Sequence, residues 1–175
     1  MVDDGAMIAR LHTESWRSAY KPFLNPNFLS GPIEEDRLRA WTSRLMRRPA
    51  NETVIVAEIE NEPIGFVCAV GGEDDRWGTL IDNLHVLPSA KGQGVGAALL
   101  GAAAEWSAAI YPSAGIYLWC FEQNAPACRF YEQRGGVAVE QIIDEAPGGG
   151  LLPALRFHWP DPASAFDARK VGLRD

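Results

Sequence analysis

The sequence predicts an α/β fold: a mixed, mostly antiparallel central sheet flanked by helices. Three stretches carry that expectation. "ETVIVAEIENEPIGFVCAV" holds two β-rich runs around a turn at Glu60 to Pro63, the pattern of a hairpin. "WGTLIDNLHVL" is apolar on both faces, as a central strand covered on two sides must be. "SAKGQGVGAALLGAAAEW" sets Gly92, Gly94 and Gly96 directly before a long Ala/Leu-rich helical run.

The remaining elements follow in order. From Asp4 to Tyr20 the residues Ile8, Leu11 and Ser15/Ala19 fall on one helical stripe, and His12, Trp16 and Tyr20 recur four apart on the next. "KPFLNPNFLSGP" reads as a break. "IEEDRLRAWTSRLMRRP" is a second amphipathic helix, with Ile33, Leu38, Trp41 and Leu45 available for burial and Pro49 as its stop. The helix that starts within the glycine segment should end near Tyr111 and Pro112. A strand "GIYLWCF", a short glycine-closed helix "NAPACRFYEQRGG", a strand "VAVEQII" and, after "APGGG", a last strand "LPALRFHW" complete the chain. Residues 1–160 read as one domain without internal repeats, and 161–175 as a loosely attached tail.

With 175 residues, 47% of them apolar and 22% charged, the chain can bury about 70% of its unfolded surface and needs neither disulfide nor metal staple. Cys68, Cys120 and Cys128 are odd in number and lack CxxC spacing, so buried thiols are expected and no metal site is indicated. The acidic start "MVDDGAMIARLH" is unlike a signal peptide, and no apolar run reaches the roughly 20 residues of a membrane span. A cytoplasmic protein with no membrane partner is the expectation. A net charge of −7 argues against nucleic acid, and "EIENE" and "GGEDDRW" could draw in a cationic substrate or be solvated loops.

Glycine in a helix interior costs about 1 kcal/mol relative to alanine, so alternating glycines at a helix start need a reason. Converging amide N–H groups, no side chains and the positive end of the helix dipole together suit a pyrophosphate. A tight turn needing glycine for geometry alone is the plainer alternative. The P-loop pattern fails because GVG stands where GKS or GKT is required. A Rossmann-type dinucleotide-binding fingerprint is formally present as Gly92-x-Gly94-x-x-Ala97, but it sits mid-chain with no acid at the expected distance.

"LHVLPSAKGQGVGAALL" followed by "NAPACRFYEQRGG" resembles the GNAT N-acetyltransferase family, whose acetyl-CoA motif runs Gln/Arg-x-x-Gly-x-Gly/Ala. The resemblance runs from about Ile8 to Trp159 and includes "LHTESWRSAY", an opening common among small bacterial members. Two departures stand out. Lys91 replaces the first motif residue, keeping the charge but losing the fork of donors. The family's first strand has no clear counterpart in "MVDDG", so that strand is either missing or lies upstream of this start.

What the resemblance implies is a splay between the strand holding Leu84, His85 and Val86 and the strand "YLWCF", with the pantetheine of acetyl-CoA in the gap. The N–H of Leu84 would face the thioester carbonyl and Val86 would hold the pantetheine. The amides of Gln93, Gly94, Val95, Gly96 and Ala97, beside Lys91 and Gly92, would bind the pyrophosphate, and the Asn124 side chain would contact the pantetheine or its thioester end. Tyr131 occupies the place of the acid that protonates the leaving thiolate, or else packs under the cofactor for shape.

An amine of pKa about 10.4 must lose a proton before it attacks, which calls for a base. Asp82 shares the face of Leu84 by period two and is the first candidate, unless it merely bonds a neighbouring loop. Glu122 could act through water. His12, Trp16 and Tyr20 could line the acceptor pocket or belong to the core, and His85 should face away from Asp82, buried and satisfied. The expected activity is acetyl transfer to a primary amine of a small molecule or peptide, with a catalytically silent CoA-binding sensor as the alternative; a homodimer is left open.

Overall fold

The computed structural model of the chain describes residues 2–47, 49–162 and 166, and the side chains from Asp4 onward. Helix α1 (Val2–Ala19) is followed by a short α2 (Pro26–Ser30) and by α3 (Ile33–Arg47). Strands β1 (Glu52–Ile59), β2 (Glu62–Asp74) and β3 (Gly78–Val86) lead through a 3-10 turn at Pro88–Ala90 into α4 (Val95–Ile110). Then come β4 (Ile116–Phe121), α5 (Ala125–Gln133), β5 (Val137–Glu145) and β6 (Leu151–Trp159). All six expected strands are present, and among the described residues none precedes α1.

The sheet runs β1-β2-β3-β4-β6-β5, and its only parallel pair among the described residues is β3 with β4. That removes the Rossmann alternative, which needs a doubly wound parallel sheet. The β1–β2 hairpin closes through Glu60 and Asn61 with φ of 53° and 64°, the two positive values of a type I′ turn, and pairs Ile59 with Glu62.

Each face of the sheet buries its own core. On one, Val67, Ala69 and Ile81 meet Leu99, Leu100 and Ala103 of α4, and the cluster continues through Leu118, Phe157 and Trp159 to Cys128 and Tyr131 of α5. Thr79 and Ser107, both buried, satisfy each other at 2.7 Å. On the other face Phe66 and Cys68 pack against Ile8 and Leu11 of α1 and Trp41 of α3.

Two expectations need correction. The break before α3 contains α2, because the Asn25 side chain accepts the Asn27 N–H at 2.9 Å and Pro26 is preset for the first helical position. Leu38 is 45% exposed: Ile33 and Trp41 set the inward face of α3, and Leu38 sits about 60° beyond Trp41 and about 140° from Ile33, at the outer edge of that face. The expected tail lies largely outside the described residues; within it Phe166 packs against the α4 core, its ring tilted against Trp159 at 5.8 Å.

Trp41 donates its indole N–H to His12 Nδ1 at 2.9 Å, and both side chains are buried. Replacing Trp41 by Phe orphans that nitrogen. A loss of about 1–3 kcal/mol is expected from the unpaired acceptor, beyond the lost packing, read as a lower urea midpoint at unchanged slope.

Candidate active site

Strands β3 and β4 pair only at Thr79 with Ile116 and Leu80 with Tyr117, and then part. The cause lies in β3. Cys68 faces Asn83 and Ala69 faces Ile81, so Asp82 is an extra residue, and a bulge of this kind bends its strand and sharpens the twist. Beyond the bulge the Leu87 N–H bonds the Ile64 carbonyl at 2.8 Å. By the alternation of an antiparallel ladder, the main-chain groups of His85 then point to β2, and those of Leu84 and Val86 point into the gap. On the far side β4 stays paired with β6 as far as Phe121 with Ala154.

The gap is a cleft of about 420 Å³. It runs from Lys91, Gly92, Gly94, Val95, Gly96 and Ala97 at one end, past Leu84, His85 and Val86, to Asn124, Tyr131 and Tyr20. At the glycine end, Gly92 and Gly94 have φ of 78° and 83°, and a Cβ on either would meet no protein atom within 4 Å. Gly94 is the N-cap of α4, and its carbonyl accepts the Ala98 N–H at 3.0 Å. By helix geometry the amides ahead of Ala98 look outward for an acceptor. Gly71 shows the contrast, since a Cβ there would lie 2.0 Å from the Tyr111 ring and the residue is glycine for packing. A bare, outward-facing amide turn that opens on a groove fits a diphosphate with a long arm.

A second cleft, about 620 Å³, lies against α1 and α3 and is lined among others by His12, Trp16, Arg44, Asp82 and Asp144. The clefts meet at a row of rings: His12 stacks on His85 at 4.3 Å, Trp16 contacts Tyr20 at 5.3 Å, and Tyr20 contacts Phe121 at 6.2 Å.

The candidates thus separate. His12 and Trp16 line the second cleft, although both are largely core; Tyr20 lines the first. Asp82 does not share the face of Leu84. The bulge breaks the period of two and turns its carboxylate to α3, where Arg44 and Asn83 bind it and Arg44 also holds Glu52 at 2.7 Å. His85 therefore lies on the same side of the sheet as Asp82, against His12 and Phe66. Glu122 lines neither cleft and accepts a bond from Gln141 at 3.1 Å. Asn124 caps α5 through its main chain alone, since its side chain makes no cap hydrogen bond. Gln93 carries its side chain back to the Ser89 carbonyl at 3.0 Å, which leaves only its main chain for a ligand.

Several lining residues carried no signal in sequence. Trp119, Cys120, Phe130 and Arg134 wall the first cleft, and Arg37, Asp144 and Glu145 the second. Phe130 packs against the core and also faces the glycine end, where its ring would lie 3.5 Å from a Cβ at Gly96.

Burial, reinforced by Cys120, Tyr20 and Cys128, pushes the Tyr131 phenol well above its usual range, so it keeps its proton. Burial, with Arg37 and Lys91 nearby, lowers His85 to about 3; burial, followed by His85, Arg37 and Arg44, also lowers His12. Both imidazoles are neutral in the fold and protonate near pH 6.5 once unfolded, so the unfolded chain binds more protons as acid is added. Stability should fall as pH drops below 6.5, by up to about 1.4 kcal/mol per pH unit for each imidazole, the His85 contribution ending near pH 3. His85→Gln should flatten that slope between pH 6.5 and 5 in urea titrations; an unchanged slope would show that His85 is free to protonate.

A parted strand pair running from a bare helix start to a buried phenol is the fold of the acyl-CoA N-acyltransferases. The model of the Acetyltransferase (GNAT) family matches residues 8–136, and the chain belongs to this family. Its sequence is 26% identical over 163 residues to "Uncharacterized N-acetyltransferase YuaI" of Bacillus subtilis, covering 91% of this chain and 90% of that protein. It is 30% identical over 138 residues to "Probable N-acetyltransferase Rv2775" of Mycobacterium tuberculosis, covering 75% and 73%. Among solved structures it is similar to the PaiA N-acetyltransferase of Thermoplasma acidophilum in complex with coenzyme A, with a TM-score of 0.62, 15% identity, and coverage of 87% and 92%. The protein is an acetyltransferase with acetyl-CoA as cosubstrate. No helix among the described residues is long and apolar enough to cross a membrane.

Proposed function

We propose that the chain moves acetyl from acetyl-CoA to a primary amine of a small molecule or peptide by direct attack in a ternary complex. The observation that carries this reading is the continuous groove from the Gly92–Ala97 turn, between β3 and β4, to Tyr131. Amides at the start of α4 would hold the diphosphate, each bond to a charged oxygen contributing about 1.5–3 kcal/mol, with Lys91 and Arg134 adding positive charge. The N–H of Leu84 would orient the thioester carbonyl, Val86 and the Asn124 side chain would hold the pantetheine, and His85 would back the arm with its ring.

Acetyl-CoA supplies the acetyl group; the chain supplies position and protons. The amine would enter by the second cleft, past His12 and Trp16, where Asp144 and Glu145 stand against Arg37 and Arg47 while Arg44 is held by Glu52 and Asp82, and it sheds its proton on the way in. Asp82 opens on that cleft and would take the proton through water, with Arg44 and Asn83 fixing its orientation. Tyr131, which burial keeps protonated, would donate to the departing thiolate.

Thiol release from acetyl-CoA, measured against polyamines, amino acids, aminoglycosides and peptides, tests the reading. Turnover with an amine is expected. Tight CoA binding without turnover across the whole panel would favour the silent sensor.

A further inference from the structure

Two thiols that the acetyl transfer does not use lie beside its groove. Cys120, at the end of β4, lines the first cleft, and Cys128 lies in the first turns of α5. Their sulfurs are 3.6 Å apart, and both approach the Phe121 carbonyl, at 3.5 and 3.7 Å. Cys68, the remaining cysteine, lies across the sheet against Phe66 and Ile8, where burial pushes its thiol up to about 12.

We propose that Cys120 and Cys128 form a modification site: a hydroperoxide entering the empty groove oxidises the pair to an intramolecular disulfide. The sulfurs are already in contact, and a bond of about 2.05 Å asks them to close from 3.6 Å. Neither a thioester exchange nor a packing role requires two thiols in contact. Cys120 is the thiol at the cleft wall and so the one that a peroxide meets, and Cys128, in contact behind it, is placed to resolve the product.

The balance is complete. The Cys120 sulfur attacks one peroxide oxygen, the O–O bond breaks, and a sulfenic acid forms on Cys120 while the other oxygen takes the thiol proton and leaves as alcohol, or as water from hydrogen peroxide. Cys128 then attacks the Cys120 sulfur, the S–O bond breaks, and hydroxide leaves with the Cys128 proton as water. Two electrons pass from the thiols to one hydroperoxide. If the groove holds acetyl-CoA, as proposed above, its occupant closes the path, and CoA at ten times its Kd should slow the oxidation about elevenfold.

The test treats the full chain with hydrogen peroxide and reads its intact mass and peptide map. Expected are the loss of two hydrogen atoms, a peptide pair joining Cys120 to Cys128, an unaltered result in Cys68→Ser, and no such loss in Cys128→Ser, which should still transfer acetyl. Uptake of oxygen atoms in place of hydrogen loss, a crosslink involving Cys68, or the same loss in Cys128→Ser would overturn the site. An oxidation rate indifferent to CoA, in protein shown by thermal shift to bind it, would overturn entry through the groove. Absence of that thermal shift counts against the cofactor reading alone, because the mass change is read without cofactor.

Discussion

Gly94→Val is expected to lower CoA affinity by at least about a hundredfold while leaving the fold intact. Position 94 combines a left-handed φ of 83° with open space, since a Cβ there meets nothing within 4 Å. The free protein would bear only the strain of a non-glycine residue in that region, about 1–2 kcal/mol and somewhat more for a β-branched one. The bound state loses more. The isopropyl group stands over the amides that open α4, and losing two charge-assisted hydrogen bonds at about 1.5–3 kcal/mol each exceeds the 2.7 kcal/mol that separates affinities about a hundredfold apart. Calorimetric titration with CoA, alongside a thermal melt, reads both sides of the change. Unchanged affinity would mean that the turn is glycine-rich for its own geometry.

Tyr131→Phe should lower kcat by about a hundredfold with CoA affinity within about twofold of the parent, because the ring stays and only the proton donor goes. The phenol is 8% exposed and packs against Phe130, Phe157 and Trp159, at ring separations of 5.3 to 6.1 Å, which fixes it at the groove wall. With its pKa raised it can donate but does not serve as the base near neutrality. Equal rates would leave Tyr131 a packing residue and assign thiolate protonation to water. A parallel fall in affinity would place the hydroxyl in binding instead.

The sequence carried the elements well where one physical signal dominated. Alternation and turn residues marked all six strands, and the Ala/Leu run after Gly96 marked α4. The glycine turn was legible because its residue type is itself the geometry. The base was not. Asp82 looked aligned with Leu84 because period-two reasoning assumes a regular strand, and a bulge leaves no mark in "LIDNLHV". Glu122 seemed near the chemistry along the chain, but the pairing of β5 with β6 draws it to Gln141. Arg37, Arg44, Asp144 and Glu145 read as ordinary surface charges; only the packing of α3 opposite the β5–β6 end gathers them around one cleft. The aromatic stripe His12, Trp16 and Tyr20 divides between two clefts because the clefts meet along it.

Amide hydrogen exchange with and without CoA tests the parted strands and the bare helix start together. Bound CoA should slow exchange at Leu84, Val86 and the amides from Gly92 to Ala97, while His85, whose amide already faces β2, changes little. Undiminished exchange across Gly92 to Ala97 in protein saturated with CoA, or protection confined to the cleft beside α3, would contradict it.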